Sequence, residues 1–377
     1  MTRLRNLRRQ ACRTAVVAVC GTLAACTLTA AVAAEPANSG DHQDVTYVLT
    51  EAGERRPIVS VDDWQQRRRQ VVAAMERVMG PLPRPTTPVP LDMNVVEAQP
   101  ILDGRVERRK VVYHTDSADR WTPAYLFVPT RIAEPRAAVL CLHQTIPIGK
   151  AEPAGLGGNP NLHYALHLAE RGYVTLAPDY PSFGEYEYDF EASPDYASGS
   201  LKAVYDNIRA VDLLTGLPEV DADRIGCIGH SLGGHNAMFT GMFEPRLKAI
   251  VSNCGFTRFH RYYEGRLAGW TSARYMPRIA SEHHNNPDEV PFDFPEIVAG
   301  FAPRAFLASA PTGDDNFEVE GVRETIAAAR FIYDLHGAGE RLQAEYPECG
   351  HDFPAAARER AYRFLDEYLV HVPDPGR

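Results

Sequence analysis

Arg224-Ile-Gly-Cys-Ile-Gly-His-Ser-Leu-Gly-Gly, residues 224–234, is the stretch on which the reading of this chain turns. Within it Gly229-His230-Ser231-Leu232-Gly233 has the spacing G-x-S-x-G. The apolar run Arg224 to Gly229 before it reads as a strand, and Leu232 to Phe243 after it reads as a helix. A strand that reverses into a helix over one residue leaves room only for glycine two positions before and two after the serine. That residue is then held strained, with its hydroxyl exposed. The helix starting behind Ser231 aims its unpaired N–H groups and the positive end of its dipole at the hydroxyl, where a negative oxygen would be stabilised.

A serine hydroxyl is a weak nucleophile at neutral pH and needs a base that is itself oriented by a carboxylate. Both appear downstream on loops that follow strands. Arg304 to Ala310 reads as a strand and runs into Pro311-Thr-Gly-Asp-Asp-Asn-Phe, which offers Asp314 or Asp315 as the acid. Leu342 to Tyr346 reads as a strand and runs into Pro347-Glu-Cys-Gly-His-Asp-Phe, which offers His351 as the base. The chain order Ser, Asp, His fits a serine nucleophile on a strand-to-helix turn. A second oxyanion donor is expected from the loop after an earlier central strand, Ala137 to Leu142. The backbone N–H of Gln144 or Thr145 would join that of Leu232, with His143 bracing the loop.

Strand and helix patterns alternate on both sides of this region, which implies a parallel sheet with helical crossovers. Helices are expected at Asn161 to Arg171, Leu201 to Thr215, Glu320 to Leu335 and Ala355 to Leu369. Further strands are expected at Lys110 to His114, Ala124 to Val128, Tyr173 to Pro178 and Leu247 to Cys254. Upstream, Val61 to Met79 reads as a helix capped by Ser60, with Asp62 and Asp63 in its first turn. The proline-dense run Pro81 to Pro90 joins it to the rest. Thr257 to Pro303 breaks the rhythm. It carries Tyr262, Tyr263, Trp270 and Tyr275 without a clean strand; as an insertion above the strand ends it would either roof a substrate pocket, which its aromatic content favours, or pack on the sheet as a structural excursion.

The N-terminus reads as an export signal over residues 1–34, with a basic start through Arg13, an apolar stretch from Ala15 to about Leu28, and small residues before Glu35. Arg8-Arg9 hints at a twin-arginine route, and Leu23-Ala24-Ala25-Cys26 resembles the site at which bacterial lipoproteins are anchored. The chain would thus be exported, periplasmic or extracellular, with ordinary cleavage favoured over a lipid anchor at Cys26 and no membrane span. The formal net charge is -10, and without the leader's five arginines 34 basic residues face 49 acidic ones. No basic stripe follows the leader, which argues against a nucleic-acid partner.

Other chemistry finds less support. His283-His284 beside Glu282 has no metal-ligand spacing, and the four cysteines after the leader (Cys141, Cys227, Cys254 and Cys349) match no zinc pattern and could be free or paired. Gly155-Leu-Gly-Gly lacks the Lys-Ser/Thr of a phosphate loop and reads as a flexible connector. Arg258, Arg261 and Arg266 are candidates for a substrate carboxylate, set against the commoner solvated surface arginine.

With these residues in view, the chain resembles the dienelactone hydrolase and acetyl xylan esterase-like branch of the α/β-hydrolases, related to the catalytic domain of prolyl oligopeptidases. The resemblance runs from about Val61 to the C-terminus. It is carried by the Trp64 helix ending in Met79-Gly-Pro-Leu-Pro, by Thr122-Pro-Ala-Tyr-Leu-Phe-Val-Pro, by Leu140-Cys-Leu-His, by Leu168-Ala-Glu-Arg-Gly-Tyr-Val and by Ala177-Pro-Asp-Tyr-Pro-Ser-Phe-Gly-Glu. It implies an α/β-hydrolase fold, with an N-terminal extension over 35–90 and a catalytic domain over 91–377 carrying the insertion 257–303. It also implies a cofactor-free, metal-free hydrolase with Asp314 preferred to Asp315 as the acid. Dienelactone hydrolases proper use a cysteine where Ser231 stands, and the usual glycine after the histidine is Gln144. The expected activity is cleavage of a small-molecule or carbohydrate ester. The alternatives are a serine peptidase of prolyl oligopeptidase type and an inactive binding module on the same fold.

Overall fold

The structure is a computed structural model and describes residues 42–193 and 195–373. The expected export leader, with Arg8-Arg9 and Cys26, lies outside the described residues. Among those described, no helix is long and apolar enough to cross a membrane.

The chain opens with a small hairpin of β1 (Tyr47–Leu49) and β2 (Arg55–Pro57), followed by α1 (Val61–Met79). The start of α1 is set locally. The Ser60 side chain accepts from the Asp63 N–H while the Asp63 carboxylate accepts from the Ser60 N–H, so two otherwise orphan donors are satisfied reciprocally. Then come β3 (Asn94–Ile101), β4 (Val106–Tyr113), β5 (Thr122–Pro129), β6 (Arg136–Leu142), α2 (Tyr164–Glu170), β7 (Val174–Pro178), α3 (Gly199–Thr215), β8 (Val220–His230) and α4 (Leu232–Phe243). The chain continues through β9 (Leu247–Asn253), α5 (Arg278–Ser281), α6 (Phe294–Ala299), β10 (Ala305–Ser309), α7 (Val319–Leu335), β11 (Leu342–Glu345) and α8 (Ala355–Tyr368).

Nine strands form one sheet in the order β11-β10-β9-β8-β6-β7-β5-β4-β3. Every neighbouring pair from β11 to β7 is parallel, and β5, β4 and β3 complete the sheet antiparallel. The central strands β6 to β10 are covered on both faces, so apart from the start of β8 (Asp221 to Arg224) and Lys248 their residues are mostly apolar and buried rather than alternating. One face packs residues from α2 and α8, such as Leu168 and Leu365; the other packs α1, α3, α4, α6 and α7 around Trp64, Phe239 and Tyr333. This is the expected mostly parallel sheet flanked by helices, and it places the loops after β8, β10 and β11 along one rim.

Three features differ from the sequence reading. β3 has no counterpart there: it is an edge strand exposed along nearly its whole length, so it lacks the buried face that creates alternation, and it carries Pro100, which an edge tolerates. Within 257–303, α6 is a regular helix whose Asp293 and Glu296 form a capping box, a signal present in the sequence. The glycine loop at 155–158 is no slack connector. It wraps the buried Glu152, and a Cβ on Gly158 would lie 2.3 Å from that carboxylate. All four cysteines of the described chain are free, three of them buried core residues.

Candidate active site

Ser231 sits between β8 and α4 at φ 54 and ψ -118, a conformation that costs a non-glycine residue energy unless its surroundings impose it. They do. Its N–H donates to the Asn253 carbonyl at 2.9 Å, tying the turn to β9. A Cβ on Gly229 would lie 2.2 Å from the Gly233 carbonyl carbon, and one on Gly233 would lie 1.9 Å from the Leu142 carbonyl oxygen. Strand, helix and the end of β6 therefore converge where side chains cannot fit, and Ser231 is left projecting. Leu232 opens α4, so its N–H has no intrahelical acceptor.

On the neighbouring loops His351 Nδ1 lies 2.9 Å from both oxygens of Asp314. The Asp314 side chain is 1% exposed, and its Oδ1 also accepts the N–H groups of Asn316 and Phe317. Burial would raise this carboxyl. The hydrogen bond and charge of His351 and the two backbone donors outweigh it and hold the group below the usual carboxylate range. Asp315 is exposed, and its side chain makes no hydrogen bond or ion pair among the described residues. With Nδ1 committed to Asp314, the other ring nitrogen of His351 is the one left for chemistry.

Ser231, Leu232, His351, Gln144 and Thr145 all line one cavity of about 320 Å³. The loop after β6 is pinned from several sides. His143 Nε2 accepts from the Tyr180 N–H at 3.1 Å, so its Nδ1 carries the proton and donates to the Gln144 carbonyl at 2.6 Å. Gln144 Nε2 donates to Glu152 at 2.9 Å, and the Thr145 and Tyr275 hydroxyls are 2.6 Å apart. Burial of His143 lowers its pKa, as a ring that accepts from a backbone N–H requires.

Tyr262, Trp270 and Tyr275 of the 257–303 segment line the same cavity. His235, Asn316 and Phe317 line it too and were not singled out in the sequence. For His235 the available signal was its position one helical turn after Ser231.

Other sequence candidates are not brought to this site. Arg258 and Arg261 both pair with Glu324, at 2.6 and 2.5 Å, and Arg266 pairs with Glu264 at 3.2 Å, so these guanidiniums are already committed to protein carboxylates. His284 bonds Glu289 at 2.7 Å. Among the described residues the one group of three metal-ligand-type side chains drawn together is Cys254, Asp314 and His351, and two of these already hydrogen-bond to each other.

Two buried histidines flank the serine, and both stay neutral. Burial, helped by the charge of His351, pushes His230 down to about 3, and burial pushes His235 down to about 3. The unfolded chain takes up these protons below about pH 6.5, and the native state refuses them until about 3. Their contribution to stability is therefore complete above about pH 6.5 and is lost as the pH falls towards 3, at roughly 1.4 kcal/mol per pH unit for each. His235→Phe is expected to flatten the acid limb of a stability–pH curve measured by urea melts between pH 4 and 7. An unchanged limb would contradict the burial argument.

Known proteins place this arrangement. The family described as the prolyl oligopeptidase family matches residues 161–373, more than half of the chain. YtaP of Bacillus subtilis (strain 168), named as a hydrolase, is 28% identical over 258 residues, covering 66% of this chain and 83% of that protein. The 2,6-dihydropseudooxynicotine hydrolase of Paenarthrobacter nicotinovorans is 28% identical over 204 residues, covering 46% of this chain and 53% of that protein, so the match spans about half of its length. Among solved structures, a glucuronoyl esterase from Solibacter usitatus superimposes with a TM-score of 0.68 over 86% of this chain and 97% of its own, at 18% identity, which speaks to the fold. The strand order, the strained turn at Ser231 and the matched span together make this chain a hydrolase with the α/β-hydrolase fold, and it belongs to the prolyl oligopeptidase family.

Proposed function

We propose that this chain is a serine esterase in which Ser231 is the nucleophile, His351 the general base and Asp314 the residue that orients and charges the base. The observation that carries the reading is the double 2.9 Å approach of Asp314 to His351 Nδ1, on a loop whose histidine shares a cavity with the strained Ser231. Ser231 Oγ attacks the ester carbonyl while its proton passes to His351 Nε2. That proton then leaves with the alcohol, and an acyl-enzyme remains. Water attacks the acyl-enzyme with His351 again as base, releasing the acid and restoring the serine. The N–H of Leu232, with that of Gln144 or Thr145, holds the oxyanion. Asp314, kept ionised by its donors, stabilises the imidazolium at each step.

The substrates are carboxylic esters, among them acyl esters of carbohydrates. A fold shared with a glucuronoyl esterase and a cavity lined by the aromatic residues Tyr262, Trp270 and Tyr275 support this choice. Residues 1–34 act as an export leader, so the enzyme works on periplasmic or extracellular esters, with Cys26 as the site of any lipid anchor. The family match favours a second reading, a peptidase.

A short-acyl nitrophenyl ester, an acetylated sugar and a dipeptide anilide distinguish the two. Cleavage of either ester by the purified enzyme is expected. Cleavage of the anilide alone would make the protein a peptidase, and a Ser231 that fails to react with a fluorophosphonate would make it an inactive module.

A further inference from the structure

We propose that Arg274 is a substrate-binding residue that receives a carboxylate on the non-scissile part of the ester, so that the enzyme selects acidic esters; this rests on the assignment of Ser231 as an esterase nucleophile. Five arginines lie in the segment 257–303. Arg258, Arg261, Arg266 and Arg278 each have a carboxylate partner within the protein, and Arg274 has none among the described residues.

Arg274 is nonetheless held in place. Its Nε donates to Ser182 Oγ at 2.9 Å, its Nη2 donates to the Ser182 carbonyl at 3.1 Å, and its guanidinium lies 4.3 Å from the centre of the Phe183 ring. The backbone beneath it is equally fixed. A Cβ on Gly199 would lie 2.5 Å from the Arg274 carbonyl oxygen, and the Ala273 and Tyr275 carbonyls accept the Gly199 and Ser200 N–H groups at the start of α3. An exposed guanidinium whose conformational freedom is already lost, with three of its five N–H donors uncommitted, is organised for a planar two-oxygen acceptor.

Its position directs that acceptor to the reaction site. Arg274 lines an open groove of about 600 Å³ that shares Thr145 and Tyr275 with the Ser231 cavity, so a ligand can lie across the Thr145–Tyr275 hydrogen bond from one to the other. Asp189 and Glu191 are the carboxylates on that groove. Neither lies within ion-pair distance of Arg274, and Asp189 Oδ1 is occupied by the N–H groups of Glu191 and Ala192.

Matched esters test this: acetylated methyl glucuronoside against acetylated methyl glucoside for a carboxylate on the alcohol side, and the nitrophenyl monoester of glutarate against that of butyrate for the acyl side. Wild-type kcat/KM is expected to favour the acidic member of one pair at least about tenfold, with the preference shrinking as salt rises. Arg274→Gln is expected to remove that preference through KM rather than kcat, and Arg274→Lys to keep part of it. An equal preference in wild type and Arg274→Gln, or none in wild type, overturns the proposal. Titration of free glucuronate into the Ser231→Ala protein reads the site without catalysis. Binding that Arg274→Gln weakens about tenfold or more supports the proposal even if every ester is refused, and no binding overturns it.

Discussion

Ser231→Ala is expected to lower kcat/KM by at least about 10³-fold and to abolish labelling by a fluorophosphonate, while the melting temperature stays that of the wild type. The size follows from what the hydroxyl alone supplies. Without Oγ no acyl-enzyme forms, and His351 and the oxyanion donors can only assist water directly, which retains a small part of the rate. The fold is spared because the turn is imposed by its surroundings: the Ser231 N–H still bonds Asn253, and Gly229 and Gly233 still admit the close approach of strand, helix and the end of β6. Alanine at φ 54 carries the same backbone strain as serine, so little stability is gained or lost. More than trace turnover in the purified variant would remove Ser231 from the mechanism.

The second large effect separates two adjacent aspartates. Asp314→Asn is expected to reduce kcat by about 10⁴-fold with KM little changed, whereas Asp315→Asn stays within about twofold of wild type. The asparagine is nearly isosteric and the loop keeps its shape. What disappears is the negative charge opposite His351 Nδ1 and the assurance that this nitrogen carries the proton. If the amide turns its NH₂ to the ring, the imidazole is pinned with Nε2 protonated and cannot accept the serine proton. Asp315 is exposed, and no hydrogen bond among the described residues ties its side chain to the ring. Steady-state kinetics on a nitrophenyl ester, with circular dichroism to verify folding, measure both variants. A reversal of the two results would move the acid to Asp315.

Much of the architecture was legible because it is specified over short distances along the chain. Ser60 and Asp63 cap their helix reciprocally within four residues, so Val61 to Met79 could be read with its bounds. The glycines flanking Ser231 mark a turn that no larger residue can make, and the strand and helix on either side confirm it within some twenty residues. Buried parallel strands are continuous apolar runs, which is why β6 to β10 were visible. An edge strand with polar residues on both faces, such as β3, leaves no such trace.

What the sequence by itself determined, then, is the alternating fold, the sharp turn that presents Ser231 and the strand-end loops that carry Asp314, Asp315 and His351. Only the tertiary structure decided which of the two aspartates reaches His351, which aromatic residues of 257–303 wall the cavity, that the four cysteines of the described chain are unpaired, and which of the five arginines of 257–303 has no carboxylate partner among the described residues. Adjacent aspartates have the same chemistry, and the turn that gives Asp314 the N–H groups of Asn316 and Phe317 is what faces it to the ring. Arg258 finds Glu324 66 positions along the chain, and Arg274 is held by Ser182 92 positions back. Local patterns encode which groups a segment carries; the partner each group meets is settled by packing between segments far apart in sequence.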